Sequence, residues 1–169
     1  MNPRFKRARR IVVMTLGLSL TAGPAIAGIA DSPLPVLEAG KTTYHVYSVP
    51  GVIEQNILAT FFSCTSTDTA PMKVGVESFG DAGGGPGNDP VGTSLTILPG
   101  GTKTFGTMLA VGIQVDSWVG GGIFRGSARI LSTSKKVVCT AFIADPGNAP
   151  PTSMTYLTII KAIKQKAAN

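Results

Sequence analysis

The sequence predicts an all-β fold, a sandwich of two antiparallel sheets of immunoglobulin-like or jelly-roll-like type, preceded by an N-terminal signal peptide. Three observations carry this reading. Apolar residues fall in short runs separated by glycine, proline, asparagine and aspartate, the rhythm of strands and turns. Only 14% of residues are charged while threonine, serine and glycine are plentiful, a composition suited to pleated, half-buried strands. The apolar spacing that marks an amphipathic helix is nearly missing from the body of the chain.

The first element is the leader. The chain opens with Arg4, Lys6, Arg7, Arg9 and Arg10 and no acid, runs apolar over residues 11–20, and breaks at Pro24 before Ala25-Ile26-Ala27. A basic stretch, a short apolar segment and small residues at the −3 and −1 positions form the pattern of a cleavable secretory signal. The apolar run is well short of the ~20 residues that a membrane-spanning helix needs. Residues 1–27 are therefore read as a signal peptide cut after Ala27, with Ala30 as the alternative position. Arg9-Arg10-Ile11-Val12-Val13 also loosely fits a twin-arginine signal. No later stretch is long and apolar enough to span a bilayer as a helix, so the mature chain is expected in the periplasm or outside the cell.

Cleavage changes the electrostatics. The whole chain carries +6 from 15 basic and nine acidic residues; five of the basic ones lie in the leader, leaving ten against nine, or +1. A near-neutral body lacks the field that nucleic-acid binding relies on, which argues against a nucleic-acid partner. The remainder has the size of one domain. Residues 28–40, with Pro33 and Pro35, read as an extended leader segment; 41–163 as the sandwich; 164–169, with Lys164 and Lys166, as a basic tail.

Within the sandwich, residues 42–49 alternate as a first strand ended by Pro50-Gly51. Residues 53–65 are the most apolar, with Ile57, Leu58, Phe61, Phe62 and Cys64 on both faces, which places this strand centrally. Over 72–79, Met72, Val74 and Val76 point one way and Lys73, Gly75 and Glu77 the other. A glycine-rich loop covers 80–92. Residues 94–98 and 102–107 flank Pro99-Gly100-Gly101, which fits a type II turn and predicts a hairpin. Residues 109–119 read as another strand. Residues 123–132 direct Phe124, Ala128 and Ile130 inward and Arg125, Ser127 and Arg129 outward. A turn at Ser134-Lys135-Lys136 leads into 137–144, and a loop at 145–151 into a last strand over 153–163.

Cys64 and Cys139 lie in apolar strands of a chain bound for an oxidising compartment, so a disulfide between them is expected. Cysteine-bearing strands near the two ends of the domain lean toward the immunoglobulin-like type, although Trp118 sits far along the chain from Cys64.

Few residues point to chemistry. His45 is the only histidine, which excludes metal sites that need two, and no GxSxG elbow marks a nucleophilic serine. No cofactor is expected. Residues 84–92 match the calcium nonapeptide pattern GGxGxDxUx, making Asn88 and Asp89 calcium candidates, with Asp81 as an added oxygen ligand from the loop's other end. Such an ion sits between successive turns of a stack, however, and the pattern occurs once, so the loop reads first as a connection. Tyr44, Tyr47 and Trp118 would offer a sugar-stacking platform if they were coplanar and exposed. Arg125 and Arg129, on one strand face with Lys135 and Lys136 at the adjoining turn, would suit an anion if solvent reached them.

The functional expectation is an exported, non-enzymatic protein with a structural or interaction role in the cell envelope or extracellular space, engaging a protein or polysaccharide partner. The alternative is a small-ligand or carbohydrate-binding module. A third reading, an enzyme using carboxylates such as Glu54, Glu77, Asp81 or Asp116, requires two of them paired across a cleft.

Overall fold

The computed structural model describes residues 32–83, 86–120, 122 and 125–162. The expected signal peptide 1–27, residues 28–31, glycines 84 and 85 of the calcium-like loop, Phe124, Ile163 and the tail 164–169 lie outside the described residues. Among the described residues there are eleven strands and no helix: β1 (Tyr44–Val52), β2 (Glu54–Gln55), β3 (Leu58–Ser66), β4 (Met72–Gly80), β5 (Leu95–Ile97), β6 (Thr102–Gly106), β7 (Ser117–Trp118), β8 (Gly126–Ser132), β9 (Val137–Ala144), β10 (Met154–Tyr156) and β11 (Ile160–Lys161). They form two sheets in a sandwich-like arrangement. One has the order β11-β1-β8-β4-β5; the other has β10-β9-β3-β6-β7, with β2 added beside β3. Every pairing is antiparallel except β6 with β7, which is parallel, so the all-antiparallel expectation is corrected at that edge.

Alternation explains the core between the sheets. Val49, Val52, Met72, Val74, Val76, Ala128 and Ile130 from the first sheet meet Phe62, Cys64, Phe105, Val137 and Ala141 from the second. Burying such side chains contributes about 1.5–3 kcal/mol each for the larger ones, the main driving force for the fold.

Several boundaries differ from the sequence reading, each for a physical reason. β1 does not stop at Pro50-Gly51; it runs on to Val52, with a register irregularity between Pro50 and Val52 where Gly51 takes φ +79°. The apolar stretch 53–65 is divided by a turn that leaves Ile57 73% exposed. At residues 98–101 the type II turn is present: Leu98 O accepts the Gly101 N–H at 2.8 Å, and Gly100 takes φ +70°, which only glycine adopts cheaply. It does not close a hairpin, because β5 pairs with β4 in the first sheet while β6 pairs with β3 in the second. The turn carries the chain between layers. Of residues 109–119 only Ser117 and Trp118 join a sheet. The last segment is likewise shared, β10 in one sheet and β11 in the other.

The outer faces are covered too. On the first sheet, Gly75 sits under the segment after residue 31: a Cβ there would lie 3.2 Å from Leu37 Cδ2 and 2.7 Å from Pro90 O. Leu37 is buried at 2% exposure. This cover removes the solvent access that an anion site at Arg129 requires. Arg129 does project from the outer face, but it is 2% exposed and ion-paired with Glu77, which is buried equally. The two stand directly opposite each other on β8 and β4. The guanidinium also donates to Ser32 O at 2.9 Å and Pro33 O at 3.1 Å, and lies 5.4 Å from the Phe79 ring centre. On the second sheet, Met108, Ala110, Ile113 and Val115 pack, together with Phe142, against the buried cluster of Ala59, Phe61 and Ala144.

Cys64 and Cys139 form a disulfide. They are opposite each other on β3 and β9, with Cα atoms 4.1 Å apart, as suits a non-hydrogen-bonded antiparallel pair. The bridge therefore lies within one sheet, not between two as in an immunoglobulin domain, so the cysteines give no support to that topology.

Candidate functional site

The residues singled out in the sequence are dispersed. Tyr44 and Tyr47 are both half-buried on β1: Lys135 Nζ lies 4.5 Å from the Tyr44 ring centre, and Tyr47 Oη donates to Val137 O at 2.9 Å. Trp118 is 55% exposed at the β7 edge of the other sheet, its Nε1 donating to Thr107 O at 2.7 Å. β9, against which Tyr47 rests, is three strands from β7, so the three rings do not share a platform. Arg125 is exposed and paired with Asp81 at 2.6 Å, while Arg129 is enclosed, so they do not present a joint cationic face.

The calcium candidates also have separate partners. Asp81 is held by Arg125, whose hydrogen bond and charge keep its carboxyl below the usual range. Asn88 acts as a surrogate strand residue: its Oδ1 accepts from Ser78 N and Ser78 Oγ, both at 2.9 Å, and its Nδ2 donates to Val76 O at 2.8 Å. Asp89 Oδ1 accepts from Val91 N at 3.0 Å, closing its own turn. Among the described residues no group of three His, Cys, Asp or Glu side chains is placed to hold a metal ion.

Two of the carboxylates considered for catalysis are likewise engaged. Glu77 is enclosed with Arg129. Asp116 accepts from Lys103 Nζ at 2.7 Å and Thr104 N at 2.8 Å. Burial pushes the Asp116 carboxyl up, but these bonds outweigh it and the net shift is downward.

The structure instead gathers residues that the sequence did not single out. A groove of about 560 Å³ opens at one end of the second sheet, within the size range of small-ligand sites. One wall is apolar, built from Ile57 of the turn before β3, Leu58 at the start of β3, and Met108 and Leu109. The other is polar, from Asp145, Asn148, Thr152 and Ser153 of the loop after β9, with Asn56 at its rim. The walls are tied together where Val111 N donates to Pro146 O at 2.9 Å.

Asp145 organises the polar wall. Its carboxylate accepts from the Thr152 hydroxyl and amide, the latter at 3.0 Å, and from Asn148 Nδ2 at 3.0 Å. The Thr152 hydroxyl first, then Asn148, hold the carboxyl below the ordinary range. A carboxylate so fully engaged shapes a loop and is a poor base. Within this lining, Ile57 and Leu109 are 73% and 70% exposed. Exposed apolar side chains grouped at a concavity mark binding surfaces more often than isolated ones do. Their only trace in the sequence is that they are large apolar residues at positions that prove to be outside the ladders. No protein-family model, curated protein or solved structure matches this chain.

Proposed function

We propose that the mature chain is an exported, non-enzymatic sandwich protein that acts by binding, and that the groove between residues 56–58, 108–109 and 145–153 is where it engages its partner in the envelope or extracellular space. One observation carries the reading: exposed Ile57 and Leu109 line the groove opposite hydrogen-bonding side chains, with the single carboxylate there already satisfied. Such a site offers apolar area and neutral polar atoms, which suit recognition and give a reaction little to work with. The basic, apolar and small-residue order of residues 1–27 supports export.

A photo-crosslinking residue in place of Leu109, in cells producing the whole chain, tests this. One discrete adduct is expected in the exported fraction, lost when Ile57→Asp places a charge in the groove. Adducts that are diffuse, or unchanged by Ile57→Asp, would count against the proposal. The same neutral, two-sided lining favours a second reading, a small-ligand or carbohydrate-binding module; binding on a glycan array that disappears with Ile57→Asp would select that version.

A further inference from the structure

β10 is the outer strand of the second sheet, and among the described residues no other strand pairs with its far side. Leu157 N donates to Ala141 O at 2.8 Å, so backbone groups of residues 155 and 157 are directed toward β9. By alternation those of Met154, Tyr156 and Thr158 are directed away from the sheet. Natural proteins guard such an edge by keeping it short or with charges, proline or a bulge, and β10, at three residues, has the first of these. Here residues 153–160 contain no charge and no proline, and the β10–β9 register runs without a shift.

The side chains on this edge are also unfinished. Phe61 and Phe142 stack with ring centres 5.4 Å apart, and Tyr156 continues the row edge-on at 6.3 Å. The row then ends at the strand edge, with Tyr156 71% and Met154 50% exposed.

We propose that a second copy of this chain completes the edge, the two β10 strands pairing antiparallel about a two-fold axis at Tyr156. In that register each Tyr156 exchanges both backbone hydrogen bonds with its counterpart, the aromatic row continues across the axis, and Met154 faces Thr158 of the other copy. Charge selects the occupant. Between Asp145 and Lys161 the chain carries no charge, and Lys161 pairs with Tyr47 in the other sheet, so no like charges of the two copies face each other along β10. A charged partner finds no counter-ion on the strand, whereas a second neutral copy is self-complementary. Such a short strand buries less than the roughly 1,600 Å² of a standard stable interface, so the dimer is reversible and forms at high micromolar concentration. This pairing is independent of what occupies the groove.

Sedimentation velocity of the full chain as isolated, from low micromolar to millimolar concentration, tests it. The wild type is expected to move from monomer to dimer. Tyr156→Lys, which sets two like charges opposite each other, and Met154→Pro, which removes only an outward N–H, should each weaken association by about tenfold or more. Hydrogen exchange adds a readout on the unmutated chain: the Tyr156 amide should become protected only as concentration rises. A monomer throughout, a dimer indifferent to both substitutions, or a Tyr156 amide already protected in dilute solution would each overturn the proposal.

Discussion

Removing the Arg129 guanidinium would leave the Glu77 carboxylate enclosed without its counter-ion. Both side chains are 2% exposed, so water cannot substitute. Breaking such a pair from one side costs about 3–5 kcal/mol, whereas replacing both partners by apolar groups is often close to neutral. Arg129→Met should therefore lower the urea midpoint sharply, and Arg129→Met with Glu77→Leu should recover much of the loss. His45 gives a second prediction at this scale. Burial first, then the positive charge of Arg129, lower its pKa, against a raising hydrogen bond to Tyr47 O. A histidine harder to protonate folded than unfolded favours folding most at pH above its unfolded value of about 6.5, and that contribution falls away as pH drops through it. The carboxylates act lower. Asp68 is held down to about 2, chiefly by the Ser134 hydroxyl, and Asp81, Asp116 and Asp145 are also lowered. Their contribution is complete above the unfolded carboxylate value near 4 and is lost as pH falls toward their folded values. Thermal melts across pH should show stability falling first between about pH 7 and 5, then again below about pH 4, with His45→Gln removing only the first decline.

Among the elements, β3 and β9 hold the cross-strand disulfide. Both cysteines face the core, Cys64 at 0% and Cys139 at 8% exposure. The bridge closes a 75-residue separation, for which the chain-entropy account gives roughly 4 kcal/mol before any native strain. Cys64→Ala with Cys139→Ala should reduce unfolding free energy by about 2–4 kcal/mol while leaving the strand content seen by circular dichroism intact. β4 and β9 were legible in the sequence because alternation is a local signal: Met72, Val74 and Val76 face the core, as do Val137, Cys139 and Ala141. Alternation also placed Glu77 and Arg129 correctly on the outer face. What it cannot express is that Leu37 and Pro90, distant along the chain, cover that face and turn a solvated pair into an enclosed one. The same limit explains residues 108–115. Ile113 and Val115 alternate as a strand would, yet they pack against the cluster of Ala59, Phe61 and Ala144 without joining a ladder. Nothing local separates those outcomes, and the groove, assembled from three distant segments, was not legible for the same reason.

At the scale of the whole molecule, two sheets share one core and each has its outer face partly covered by a connecting segment. Composition foreshadowed the all-β class, since a chain poor in charge and rich in threonine and glycine favours strands with frequent turns. The proposed compartment, neutral body and binding role all depend on removal of the basic leader, which takes five of the fifteen positive residues with it. Intact mass analysis of the chain recovered from producing cells, without reductant and after thiol alkylation, reads leader removal and the bridge together. The expected species begins at residue 28, or at residue 31 if Ala30 is the cleavage position, and is two hydrogens lighter than the dithiol and unalkylated. A species beginning at Met1, with Cys64 and Cys139 both alkylated, would contradict that expectation.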